Sequence, residues 1–144
     1  MMTLSPEGQK LIERFEGRKN LAYLDGGGVW TIGVGHTRGV KKGMTATNAQ
    51  IDKWFAEDSL EAVLGVNHAV RVPLTQNQFD ALVSLAFNIG VEAFSKSTLV
   101  RKLNDGDSPG AAAQFVRWNQ DNGKVVAGLT TRRLAEAVHF SGLV

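Results

Sequence analysis

The stretch from Glu16 to His36 constrains this chain more than any other. A helical pattern stops there and a glycine-rich hairpin begins, with an acid on each side of the change and a hydroxyl on the returning arm. Ser5 and Pro6 open the helix, a capping residue followed by a proline whose missing N–H is no loss at the first helical position. Leu4, Gly8, Leu11, Ile12 and Phe15 recur at helical spacing, so one face is expected to be buried, and Gly17 is a natural stop. Glu16 therefore falls in the last turn, beside the apolar face. Residues 21–36 read as strand, with Asp25-Gly26-Gly27-Gly28 as the hairpin tip. From Val29 to Gly35 the side chains are expected to alternate between faces. Trp30, Ile32 and Val34 make an apolar face turned to the core. Val29, Thr31, Gly33 and Gly35 make a small, mostly bare face with room for a ligand beside Thr31.

The rest of the chain reads as helix. Thr47-x-x-Gln50 has the form of a capping box and starts a helix to about Val66, with Ile51, Trp54, Phe55, Ala62 and Val63 as its apolar side. Val70-Arg71-Val72-Pro73-Leu74 is a short break. Thr75-x-x-Gln78 repeats the capping signal for a buried helix carrying Phe79, Leu82, Val83, Ala86 and Phe87, ended by Gly90. Shorter helices are expected at 96–104, at 109–119 with Ser108 as cap and Pro109 in first position, and at 131–141. The expected architecture is α+β, one domain over 1–144. A small sheet lobe (about 18–47) is joined by a long helix (about 48–66) to a larger helical lobe (about 70–144 with 1–17).

Composition narrows the function class. The chain has 144 residues, 43% hydrophobic and 21% charged, as in ordinary globular domains. It has no cysteine, hence no disulfide and no thiolate-bound metal. The N-terminus lacks a basic segment followed by an apolar one, and no stretch approaches the ~18 apolar residues of a membrane span. Net charge is +2. That bias suits a mixed surface or attraction to an acidic polymer, and no basic motif points to nucleic acid. His36, His68 and His139 lack metal-ligand spacing. No metal and no other cofactor is expected. Gly26-Gly27-Gly28 and Gly33-x-Gly35 do not open a helix with the lysine or fingerprint of a phosphate loop.

The chemistry lies in Glu16, Asp25 and Thr31, spaced E-x8-D-x5-T. Two acids and a hydroxyl able to hold a water are what hydrolysis of a glycosidic bond requires. The negative end of a helix and apolar surroundings both disfavour charge on Glu16, which suits a proton donor. Asp25 also reads as a turn residue, and Thr31 as a strand former. His36 stands without a Gly-x-Ser-x-Gly nucleophile motif and reads as structural, hydrogen-bonded behind the strand.

The spacing, together with Thr31-Ile32-Gly33-Val34-Gly35-His36, resembles the phage-type lysozymes (glycoside hydrolase family 24, the endolysins). Phe87-Asn88-Ile89-Gly90, Ser97-Thr98-Leu99, Arg117-Trp118 and Gly128-Leu129-Thr130-Thr131-Arg132-Arg133 resemble the same family in the same order, so the likeness spans about residues 5–141. The resemblance implies a muramidase cutting the β-1,4 bond between N-acetylmuramic acid and N-acetylglucosamine. Glu16 would be the acid, and Asp25 and Thr31 would hold the water of an inverting reaction. Thr37, Phe87 and Thr98 fall where relatives line the sugar cleft, although Phe87 reads equally as core. Arg132 or Arg133 pairs with Glu16, as an arginine does in relatives. The resemblance further implies a monomer that acts on peptidoglycan strands without inserting in a membrane. It would accumulate in the host cytoplasm and reach the wall after a separate protein permeabilises the membrane. A lytic transglycosylase and a non-catalytic wall-binding homologue are the rival readings. The first would need only the acid, and the second none of the three residues. The membrane-release segment and cysteines of some related endolysins are not seen here.

Overall fold

The computed structural model describes residues 1–143. The elements follow the expected α+β order: α1 (Pro6–Glu16), β1 (Lys19–Leu24), β2 (Trp30–Gly33), α2 (Asn48–Ala69), α3 (Gln76–Ile89), α4 (Val91–Ser95), α5 (Thr98–Asn104), α6 (Ser108–Gln114), β3 (Gln120–Asp121), β4 (Lys124–Val125) and α7 (Ala127–Phe140), with a 3-10 turn at Phe115–Arg117. They form two compact units. One holds Ile12–Leu60, the other Met1–Leu11 with Glu61–Val144.

The smaller unit is built around the β1–β2 hairpin, whose antiparallel register pairs Tyr23 with Thr31 and Leu24 with Trp30. The segment after it returns alongside, through a bridge between Leu21 and Thr45. Arg18 ties the hairpin to α2, donating to Asp52 Oδ1 at 2.9 Å and to the Asn48 carbonyl at 3.2 Å. Ile12, Ile32 and Ile51 are fully buried and form its core with Ala22 and Val34. The strand expectation over 29–36 needs correction. β2 ends at Gly33, and the chain doubles back so that Ile32 and His36 exchange both backbone hydrogen bonds, at 2.9 and 3.0 Å. Gly33 and Gly35 make this turn possible, at φ of 65° and 68°, where L-residues with a Cβ are strained. Alternation therefore holds only to Ile32.

In the larger unit the capping signal at Thr75 is realised in full, with reciprocal bonds to Gln78. α3 packs on α7, and α5 on α6. Phe79, Leu82, Leu85, Phe94, Leu99, Leu103 and Phe115 form the core, with Phe115 edge-on to Phe140 at 5.5 Å. Boundaries moved where side chains outweigh pattern. α5 begins at Thr98, because the Ser97 hydroxyl caps Val100 N. α6 is capped by Asp107, not Ser108, and stops at Gln114. α7 begins at Ala127, four residues ahead of expectation. α4 and the β3–β4 hairpin were not anticipated. The hairpin had a legible signal in Asn122-Gly123, both at positive φ, the pairing favoured in two-residue turns.

The start of α1 is anchored by Asp80, which is fully buried on α3. Its carboxylate accepts from Ser5 N at 3.1 Å, from the Ser5 hydroxyl, and from Gln76 Nε2 at 2.8 Å. Gly8 lies directly over it, and a Cβ there would stand 2.6 Å from Asp80 Cγ. Alanine at a helical glycine gains about 1 kcal/mol of propensity, whereas overpacking costs about 1–3 kcal/mol. The carboxylate cannot retreat without giving up its hydrogen bonds, so the clash wins. Gly8→Ala is expected to lower the midpoint of denaturant unfolding. An unchanged or raised midpoint would show that Asp80 yields freely.

Candidate active site

Glu16 is the last residue of α1, half-buried, and its carboxyl packs against the Gly33-Val34-Gly35 turn. A Cβ on Gly35 would meet Glu16 Oε1 at 2.6 Å. Only glycine satisfies both the turn and this approach. Asp25 is exposed at the hairpin tip. Its Oδ1 accepts from Gly27 N at 2.9 Å and Val29 N at 2.8 Å, while its backbone pairs with Val29. One carboxylate oxygen thus closes the turn, and the other is given no protein hydrogen bond among the described residues.

Thr31 is 4% exposed, so its face of the hairpin is not bare. Its hydroxyl donates to the Val29 carbonyl at 2.9 Å. With that proton committed, the oxygen's lone pairs can only accept from a further group. Directly opposite Thr31 on β1 is Tyr23, overlooked in the sequence. Burial, then the charges of Glu16 and Asp25, push the Tyr23 phenol above its ordinary pKa. Glu16, Tyr23, Asp25 and Thr31 are thereby gathered about one hairpin within the smaller unit. No sequence signal singled out Tyr23, since a tyrosine in a strand is expected on propensity alone.

His36 is engaged with α2. Its Nδ1 lies 2.6 Å from Asp58 Oδ2 on α2, and its ring stacks on Trp54 at 4.5 Å with planes 5° apart. Arg38 donates to the other oxygen of Asp58 at 3.3 Å. These contacts pin the returning turn to α2. Thr37 follows, exposed, and its carbonyl accepts from Val40 N at 3.3 Å.

In the larger unit, Arg132 and Arg133 are both buried, and neither is a surface residue. They converge on the buried Glu136, with Arg132 Nε 3.3 Å from Oε2 and Arg133 Nε 2.7 Å from Oε1. The second is an ion pair whose N–H is not aligned for a hydrogen bond. Ser84 donates to Glu136 Oε2 at 2.5 Å. Burial pushes the Glu136 carboxyl above the usual carboxylate range, against the pull of Arg133 and Arg132. Phe87 is half-buried near the end of α3. Thr98, at the start of α5, lines a depression of about 340 Å³ with Gln114, Arg117 and Trp118. Trp118 also borders a second hollow of about 520 Å³, with Asn88, Ile89 and Leu129. Among the described residues, no group of three His, Cys, Asp or Glu side chains is placed to hold a metal ion. Among the described residues, no helix is long and apolar enough to cross a membrane.

Residues 13–136 match the phage lysozyme family. An endolysin of Acyrthosiphon pisum secondary endosymbiont phage 1 is 44% identical over 96% of this chain and 98% of that protein. An endolysin of Salmonella phage P22 is 41% identical over 97% of this chain and 99% of its own length. Among solved structures, an endolysin from Escherichia coli O157:H7 phage FAHEc1 superposes with a TM-score of 0.93 at 40% identity, covering 99% of this chain and 96% of that one. The muramidase domain of SpmX from Asticaccaulis excentricus does so with a TM-score of 0.88 at 41% identity, covering 97% and 98%. With the acid, carboxylate and hydroxyl of its hairpin intact, the chain belongs to the phage lysozyme family, whose members are glycoside hydrolases.

Proposed function

We propose that this protein is an endolysin-type muramidase that hydrolyses the β-1,4 bond between N-acetylmuramic acid and N-acetylglucosamine in peptidoglycan. The observation that carries the reading is the grouping of Glu16, Asp25 and Thr31 about one hairpin, with complementary hydrogen-bonding capacities. Glu16 gives its proton to the glycosidic oxygen as the C1–O bond breaks. A water donates one hydrogen to the open oxygen of Asp25 and the other to Thr31 Oγ1, which is an acceptor because its own proton goes to Val29. The water's lone pair is then left facing the anomeric carbon. As the new C1–O bond forms, Asp25 takes the water's proton. Attack from the face opposite the leaving group inverts the anomeric centre, so the first product is the α-anomer.

Thr37, Phe87 and Thr98 are the sugar-contacting residues of this reading. The protein works as a monomer, gathers in the host cytoplasm and meets the wall once a separate protein has opened the membrane. What supports the reading is that relatives matched over nearly their whole length are described as endolysins.

Glu16→Gln removes the donated proton and is expected to abolish clearing of purified walls, a loss of about 10²–10⁴-fold, with an unchanged circular dichroism spectrum. Clearing at the wild-type rate would remove Glu16 from the mechanism. Product analysis on the same walls separates the rivals, since a transglycosylase leaves a 1,6-anhydro end and an inert binder leaves none. Stereochemistry tests Asp25 and Thr31. NMR of fresh product from a soluble glycan is expected to show the α signal before mutarotation, and Thr31→Ala to lower kcat more than it raises KM. An initial β-anomer would defeat inversion.

A further inference from the structure

Tyr23 is the one member of the hairpin group without a part in the reaction as written. It is the only tyrosine of the chain, half-buried, and paired across the strands with Thr31. Directly opposed residues of an antiparallel pair project from the same face, so the phenol shares the face that carries Thr31. Both Glu16 and Asp25 act on it through space. Its hydroxyl makes no hydrogen bond among the described residues.

The donors and acceptors at this site do not balance without it. An ionised Asp25 only accepts. Thr31 has given its proton to Val29, and Glu16 holds one proton, which goes to the leaving oxygen. A sugar carrying an acetamido group presents a carbonyl oxygen and a ring oxygen as well as hydroxyls. Each needs a donor when water is excluded, because an unpaired acceptor is costly to desolvate. Of the four side chains gathered here, Tyr23 alone holds an O–H not already committed. We propose that Tyr23 is a substrate-contacting residue, its phenol O–H donating a hydrogen bond to an acceptor oxygen of the N-acetylated sugar bound at the hairpin. The assignment rests on Glu16 and Asp25 being the reacting carboxyls. A neutral phenol fits the position for a second reason. It adds a donor without adding charge, so it neither neutralises Asp25 nor draws the proton from Glu16. Its elevated pKa keeps that donor in place at any pH at which the carboxylates operate.

The sole tyrosine makes the test direct, because tyrosinate absorbance reports this residue alone. In the inactive Glu16→Gln protein, a soluble uncrosslinked peptidoglycan strand is expected to shift the phenol titration to still higher pH, since a donated hydrogen bond holds the proton. By calorimetry the same strand should bind Glu16→Gln/Tyr23→Phe roughly three- to tenfold more weakly than Glu16→Gln, the range of one neutral hydrogen bond. In the active background, Tyr23→Phe should lower kcat/KM by a similar factor with an unchanged melting temperature. A phenol titration indifferent to saturating glycan, or equal affinities for the single and double variants, overturns the assignment. Failure of the underlying reading looks different, for then Glu16→Gln still cleaves walls whatever the phenol does.

Discussion

The close approach of the Glu16 carboxyl to the backbone of Gly35 is the constraint on which the smaller unit depends. It requires a residue with no side chain at a φ of 68°, and it requires the strand to end two residues earlier so that the turn can fold back. The turn in turn sets His36 against Trp54 and Asp58, which hold it to α2. A larger residue at 35 would displace the acid and unseat the turn together. The geometry of the proposed proton donor and the packing of the hairpin are therefore one problem with one solution.

The two acids are handled by opposite means. Glu16 is half-buried at a helix end, against the backbone of the Gly33-Val34-Gly35 turn. Asp25 is exposed, and one of its oxygens is occupied by two backbone N–H groups of its own turn. Thr31 completes the set through a local bond to Val29 that converts a hydroxyl from donor to acceptor.

Most of the fold was legible because its signals are local. Caps at Thr47 and Thr75, the stop at Gly17 and the apolar periodicity of α1 and α3 depend on residues three or four apart. The misreadings arose where side chains compete for the same backbone. Ser97 and Asp107 each cap a helix whose boundary the pattern placed one or two residues away. At Gly33 the alternating strand pattern ran on in sequence while the backbone had already turned. The Asn122-Gly123 hairpin was legible and overlooked.

By itself, the sequence singled out the residues proposed to carry the chemistry and the order in which they come, an acid, a carboxylate and a hydroxyl at fixed spacing around a glycine-rich tip. It also determined the helix-and-hairpin alphabet, because propensity, capping and turn residues act over a few positions. Tertiary structure decided what those groups can donate or accept. That Tyr23 stands opposite Thr31 follows from strand register, and that Thr31 is buried follows from packing; the bonds of Thr31 to Val29 and of Asp25 to its own turn are short-range, yet they form only once the hairpin has folded. Arg132 and Arg133 meet Glu136 along one helix, but the bond that Ser84 gives Glu136 depends on packing between α3 and α7. Register and packing join residues far apart in the chain, and no local pattern encodes the direction of a hydrogen bond.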